Sequence, residues 1–269
     1  MSYKTKQCII CSKKKFSKRF EYFKPPKLEI KFNIGKQKYH RYYYECNYCG
    51  HWYGKLNFKL KNLYNSEYNN VTYQGKLKKN FLKVKNLPNK KSDNFFRVLR
   101  IKSFSKKLSN KKNKTLLDIG SGLGIFPYKA SKEGFKCTAF DPDPSACQHI
   151  RRNLKIKTLC GNFITKRIKK KFDLVTMNKV IEHVKSPYTM IKKAKKNLNK
   201  NGIIYIEVPD AVEASKKGKN REEFFIDHLH VFSKKSLGLL LKKTNYKKID
   251  INQIVEPSGK FTIYAFARK

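Results

Sequence analysis

The segment TLLDIGSGLG, residues 115–124, constrains this chain of 269 residues more than any other. An apolar run ending in closely spaced glycines predicts a strand that turns sharply into a helix. The turn's bare backbone lets a ligand lie against it, and the first N–H groups of the helix face that ligand. The spacing is Asp118-x-Gly120-x-Gly122-x-Gly124, and Ile125 stands where a dinucleotide fingerprint carries its third glycine. A carboxylate two residues before the first glycine repels a pyrophosphate but suits a ligand bearing an amino acid and a sulfonium. Asp141 ends the next apolar run, KCTAFD, at the distance where an acid can take both hydroxyls of a ribose.

From Lys114 onward strands and helices alternate, the pattern of a doubly wound sheet. PYKASKEG reads as a short helix after the glycine turn, and Asp143 followed by Pro144 reads as an N-cap opening SACQHIRRNL. IKTLCGN and FDLVTMNKVI are the third and fourth strands. SPYTMIKKAKKNLNKNG is a Ser-capped helix with a basic last turn, stopped by Gly202, and GIIYIEVPD is the fifth strand. A helix capped by Ser233 follows, and KKIDINQIV and KFTIYAFARK close the chain as a hairpin around EPSG. The fold class is therefore α/β, a Rossmann-like sheet of seven strands, with a small metal-binding module before it.

That module is read from Cys8-x2-Cys11 and Cys46-x2-Cys49, two knuckles flanking LEIKFN and YHRYYYEC, which alternate as two strands around Ile34 and Gly35. Four thiolates in this spacing form a zinc ribbon, a closed structural site for Zn2+, with His40 and His51 as alternative ligands nearby. Cys137, Cys147 and Cys160 fall in the sheet domain and read as core or helix residues. The expected organisation is a ribbon over 1–57, a linker with short helical turns over 58–94, and a catalytic domain over 95–269. A helix through FFRVLRIKSFSKKL, capped by Ser92 or Asp93, begins that domain.

With these motifs the chain resembles the class I S-adenosylmethionine-dependent methyltransferases over about residues 95–269. The resemblance implies that Asp118, Gly120, Gly122 and Gly124 form the first cofactor motif and that Asp141 holds the ribose. It places Asn162 and Phe163 beside the adenine, although many members carry Asp where this chain has Asn162, and it places Asn178 near the cofactor. Methyl transfer requires alignment and, where the acceptor carries a proton, a base. Glu182 and His183 after the fourth strand, and His228 and His230 after the fifth, are the candidates at the carboxyl ends of the strands. Of His228 and His230, one is expected to face the pocket and the other to pack.

NKVIEHVKSP, REEFFIDHLHVFSKKSL and EPSGKFTIYAF are further similar to methyltransferases of surface-polysaccharide and nucleotide-sugar pathways. That similarity implies a small-molecule acceptor, a sugar or sugar nucleotide. The alternative is RNA, since certain ribosomal RNA guanine methyltransferases also place a zinc ribbon before this fold. The balance of 63 Lys+Arg against 19 Asp+Glu, a formal charge of +44, attracts any anion and so does not choose between them. It reads equally as an anionic partner or as compositional drift toward Lys. No apolar run is long enough for a membrane helix, and MSYKTKQCIICSKKK lacks the apolar core of a signal peptide, so the expected location is the cytoplasm. The oligomeric state is not encoded in any of these patterns.

Overall fold

A computed structural model describes residues 7–30, 32–59, 77–108 and 113–269. The amino-terminal part forms β1 (Phe16–Tyr22), β2 (Arg41–Cys46) and β3 (Trp52–Leu56), an antiparallel meander. LEIKFN is not one of its strands. Glu29 turns inward there, its N–H donating to the Pro26 carbonyl and its buried carboxylate accepting from Arg41 and Tyr39. One buried acid therefore holds this segment as a loop, and the strand that pairs with β2 is instead FSKRFEY. Lys31, within that expected strand, lies outside the described residues, as do residues 60–76 of the expected linker.

The linker's described part carries α1 (Leu77–Lys85), and α2 (Asp93–Leu108) follows. Ser92 Oγ accepts from the Phe95 N–H at 3.3 Å in the manner of a cap, while the Asp93 carboxylate holds Ser258 at the far hairpin. The remainder alternates: β4 (Thr115–Ile119), α3 (Ile125–Lys132), β5 (Lys136–Asp141), α4 (Pro144–Leu154), β6 (Lys157–Cys160), β7 (Phe172–Asn178), α5 (Pro187–Lys196) and β8 (Leu198–Pro209). Then come α6 (Ala211–Lys216), β9 (His230–Val231), α7 (Lys234–Lys243), β10 (Lys247–Val255) and β11 (Phe261–Arg268).

Seven strands make one mixed sheet in the order β10-β11-β8-β7-β4-β5-β6, with β11 antiparallel to both neighbours. The central strands are apolar on both faces: Leu117, Ile119, Phe140, Val175 and Ile206 pack with α5 and α7, while Leu116, Leu174 and Tyr205 pack with α2 and α3. Gly202 does not stop the helix before it. Helix α5 already ends at Asn197, and Gly202 sits inside β8 where the register against β7 slips, Phe172 facing Leu198 but Leu174 facing Ile203. A Cβ at Gly202 would meet Leu198 side-chain atoms at 3.0 Å, so the glycine serves this bulge.

The small amino-terminal sheet is not a free satellite. Its outer strand β3 pairs with β9, giving the order β1-β2-β3-β9. Tyr22, Tyr43 and Trp52 pack against Ala211, Ala214, Phe224 and Val231 in one aromatic cluster. Strands β1, β3 and β9 escape a reading by alternation. β9 is too short to show a period, and the aromatic content of the other two is shared with their surroundings.

Candidate active site

The carboxyl ends of β4, β5, β7 and β8 open into one cleft of about 1470 Å³. At one end the glycine turn joins β4 to α3, with Gly120, Gly122 and Gly124 at φ +73°, +49° and +75°. A Cβ at Gly120 would stand 2.6 Å from Val180, and one at Gly124 would stand 2.7 Å from Leu154, so both backbone sign and space require glycine. Asp118, buried beneath the turn, accepts from Thr176 Oγ1 at 2.7 Å and from Asn178 Nδ2 at 2.9 Å. Burial pushes its carboxyl up to about 6, against the pull of the Thr176 hydrogen bond.

Asp141 ends β5 and is held by two backbone donors, Gly122 N–H on Oδ2 at 2.8 Å and Asp143 N–H on Oδ1 at 2.9 Å. Each oxygen retains a lone pair for a second donor, which suits a vicinal diol. Burial also raises this carboxyl to about 6, opposed by those two N–H groups. Phe163 is buried edge-on to Phe140 and lines the cleft. Asn162 lines it too, with Oδ1 already accepting from the Ile164 N–H at 2.8 Å.

The other end of the cleft is assembled from β7, the turn after it and the loop before β9. Glu182 is fully buried, and neither carboxylate oxygen has a hydrogen-bond partner among the described residues. His183 Nε2 stands 3.9 Å from Glu182 Oε1. The tautomers of the two cleft histidines follow from their partners, because a carbonyl can only accept. His183 Nδ1–H donates to the Asp227 carbonyl and His228 Nδ1–H to the Glu223 carbonyl, each at 2.9 Å. In the neutral rings the lone pairs are therefore on Nε2. The rings lie 4.8 Å apart edge to face, and one ligand-type atom from each of Glu182, His183 and His228 falls within 4.8 Å of the others. Burial holds His228 below the usual imidazole range, opposed by Asp227.

His230 is not brought to this cleft. It faces the other way on β9, its Nδ1 3.1 Å from His51 Nε2, and burial lowers it to about 4. Two groups not singled out from the sequence do line the cleft. Lys179 sits at φ +57° just past β7, its buried ammonium donating to Thr262 Oγ1 at 2.7 Å. Arg97 of α2 reaches it while bonded to Glu207 of β8 at 2.7 Å through Nε. Burial disfavours the Glu207 carboxylate, but Arg97 and Arg100 outweigh it and hold the carboxyl at about 2. No local pattern announces either residue. Lys179 is one lysine among many, and Arg97 acquires its setting only when α2 crosses the sheet.

A family model described as a methyltransferase domain matches residues 95–251. This chain belongs to that family. The methyltransferase domain is of the class I S-adenosylmethionine-dependent type, with the mixed seven-stranded sheet described above. Among curated relatives, a ubiquinone biosynthesis O-methyltransferase of Pelagibacter ubique is 32% identical over 119 residues, 42% of this chain and 48% of the relative. The chain spans about half the length of the curated relatives it matches. Among solved structures, an S-adenosylmethionine-dependent methyltransferase of Thermotoga maritima aligns with a TM-score of 0.56 at 18% identity, over 76% of this chain and 100% of that one. The N-methyltransferase NodS of Bradyrhizobium japonicum, in complex with S-adenosyl-L-homocysteine, aligns at 0.51 and 18% identity, over 74% and 98%. At these identities the likeness concerns the fold.

Ahead of the methyltransferase domain, Cys8, Cys11, Cys46 and Cys49 converge, with one sulfur of each within 4.8 Å of the rest. The Cys8–Cys49 and Cys11–Cys46 sulfurs are 3.7 Å and 3.5 Å apart, far beyond a disulfide bond. A tetrahedral Zn–S distance of about 2.3 Å implies sulfur separations of about 3.8 Å, so the donor set fits zinc. The hydrogen bond that Cys8 and Cys49 share lowers the Cys8 thiol to about 5 and raises that of Cys49, so the pair holds one proton between two sulfurs.

Proposed function

We propose that this chain transfers a methyl group from S-adenosylmethionine to a hydroxyl oxygen of a small molecule. The observation that carries the reading is a single cleft with the glycine turn and Asp141 at one end and the Nε2 faces of His183 and His228 at the other. In this reading Gly120, Gly122 and Gly124 give backbone access to the cofactor, Asp118 faces its amino-acid end, and Asp141 takes the ribose hydroxyls. Phe163 and Asn162 flank the adenine, and Asn178 ties Asp118 to the acceptor end. The cofactor supplies an electrophilic methyl group on a sulfonium. His228 accepts the acceptor's hydroxyl proton at Nε2, His183 stands beside it, and Glu182 stabilises the imidazolium that forms. His230 has no part in this chemistry.

Oxygen as acceptor atom is supported by the curated relatives, named as O-methyltransferases. The narrower expectation, a sugar or sugar nucleotide of glycan synthesis, rests on the resemblance of the Glu182-His183 and His228-Leu-His230 segments. The four thiolates hold one structural Zn2+ in this proposal, and His40 and His51 stay outside its shell. Among the described residues no helix is long and apolar enough to cross a membrane, and we place the reaction in the cytoplasm.

A second reading of the same groups is favoured by the Glu182 carboxylate, which among the described residues accepts no hydrogen bond. Two imidazole nitrogens and a carboxylate also suit a divalent cation that would bind the acceptor oxygen. Dialysed protein that keeps its zinc separates the two, since activity restored only by added magnesium or manganese favours the cation. The decisive experiment for the acceptor supplies methyl-labelled cofactor with total RNA and with a metabolite extract. Label in the small-molecule pool that is stable to base, as an ether must be, supports the proposal, whereas base-labile label marks a methyl ester and a carboxylate acceptor. Label confined to RNA, with binding that weakens steeply with salt, transfers the role to the ribosomal RNA alternative.

A further inference from the structure

The loop that carries His228 and Asp227 runs from α6 to β9. Arg221 on Glu223 and the Phe225–His228 turn hold it from within, Phe261 N–H on Glu223 ties it to β11, and the amino-terminal sheet grips it from the other side. Tyr43, fully buried on β2, places its hydroxyl 2.6 Å from the His228 carbonyl and 2.9 Å from the Phe225 carbonyl, its one proton serving either. Glu29 accepts the Ile226 N–H at 2.8 Å while Arg41, almost wholly buried, pins the same oxygen at 2.6 Å. Gly54 of β3 donates its N–H to the Leu229 carbonyl at 2.9 Å, just before β3 and β9 pair through Tyr53 and His230. Tyr22 secures the loop's start by donating to the Lys219 carbonyl at 2.6 Å.

We propose that the amino-terminal sheet is a brace for the acceptor end of the cleft, with Tyr43 and Gly54 as positioning residues that set where the His228 imidazole stands. The inference rests on the proposed role of His228. Its reasoning is geometric. The ring of His228 is oriented by the Glu223 carbonyl of the same loop, so ring and loop move as one piece. The carbonyl of His228 lies where a Cβ on Gly54 would approach it to 3.2 Å, tighter than ordinary contact. A larger residue at 54 must therefore push the His228 backbone by a few tenths of an ångström. Displacements of that size matter in a reaction whose rate depends on near-attack alignment. None of these contacts reaches the glycine turn or Asp141, so the brace acts on one end of the cleft alone.

The test uses the full chain with two substitutions of different kinds. Tyr43→Phe keeps the ring that packs edge-on against Tyr22 and Phe224 but removes the hydroxyl. Gly54→Ala removes no hydrogen-bonding group and acts by displacing the His228 backbone. Hydrogen–deuterium exchange is read over residues 225–231 and over 115–124, alongside calorimetry with S-adenosylmethionine and kcat for methyl transfer. The expected result for Tyr43→Phe is at least tenfold faster exchange in 225–231, with 115–124 and the cofactor Kd within twofold. For Gly54→Ala the expected result is a kcat lowered about tenfold at unchanged cofactor Kd. Exchange in 225–231 unchanged by Tyr43→Phe overturns the brace. So does loss of kcat in Gly54→Ala that merely parallels loss of cofactor binding. If Tyr43→Phe does not fold, Gly54→Ala decides by the same split. If His228 proves dispensable for transfer, the exchange result still judges the brace separately from that role.

Discussion

The two ends of the cleft are built in opposite ways. The cofactor end comes mostly from residues 118–141 of β4, α3 and β5, with Asn162 and Phe163 after β6 completing it, and its carboxylates are already engaged: Asp118 by Thr176 and Asn178, Asp141 by two backbone N–H groups. The acceptor end gathers Glu182 and His183 from one loop and His228 from another 45 residues later, over a sheet formed before residue 57. It keeps a buried carboxylate that, among the described residues, has no hydrogen-bond partner, and a buried lysine whose ammonium donates to a threonine hydroxyl. A partnered site is stable before its ligand arrives, whereas buried polar groups left open cost free energy that binding can recover. The contrast fits a fixed cofactor and an acceptor end specialised for one substrate.

The comparison breaks most visibly at His228. Replacing it with alanine should lower kcat by about 10²–10⁴, the usual worth of a positioned base, while the cofactor Kd stays within twofold. His183→Ala should fall short of that, because its Nδ1 is tied to the loop and its removal leaves Nε2 of His228 in place. Equal, small losses from both would mean that alignment alone drives transfer. At the opposite end, Gly120→Val should weaken cofactor binding by about 100-fold or more, near 2.7 kcal/mol, since the side chain meets Val180 and the backbone sign is wrong. Calorimetry that finds an unchanged Kd would remove the cofactor from the glycine turn.

The same division governs what could be read before the fold was known. The glycine turn, Asp141, the Asp143-Pro144 cap and the order of the strands are local signals, and they stand in the structure where spacing put them. The hairpin around EPSG does as well. Misreadings came where tertiary context overrode a local pattern. LEIKFN alternates like a strand but is bent by the demand of Arg41 for the Glu29 carboxylate, and Gly202 has the look of a helix stop but fills a bulge. Nothing near His228 and His230 says which one faces the cleft. That depends on β3 pairing with β9, a contact across more than 170 residues that no period encodes.

A gentler probe is pH, which should act on the two ends in different ways. Asp118 and Asp141 are raised by burial to about 6, so both are ionised above about pH 7 and take up protons as pH falls through 6. Cofactor affinity should accordingly be full at pH 7–8 and fall about tenfold by pH 5 for each carboxylate whose charge binding requires. The carboxyl group of the ligand titrates below that interval and its amino group at the upper edge, about 8, so the fall is read between pH 7 and 5. Asp141→Asn should flatten part of this dependence. The limb of kcat contributed by His228 should lie lower than an ordinary imidazole's, because burial depresses it and the neutral ring is the competent one. A cofactor Kd constant from pH 5 to 8 would contradict the carboxylate assignments.

The smallest expected effect concerns Asn162, the one cofactor-end residue that departs from what the family resemblance leads one to expect. Its Oδ1 accepts the Ile164 N–H at 2.8 Å, so the side chain already shapes the turn after β6. An aspartate can make the same bond with one oxygen and present the second, with fuller charge, to an amino group at the adenine edge. The asparagine presents only the remaining lone pair of Oδ1 and a donor. Asn162→Asp should thus leave the fold intact and tighten cofactor binding by about two- to threefold at pH 8, a gain kept down to about pH 5 because an exposed carboxyl there stays ionised. Affinity lowered tenfold or more would show that Nδ2, not Oδ1, meets the ligand. That outcome would turn the adenine over in its pocket while leaving Asp141 and the glycine turn where they are.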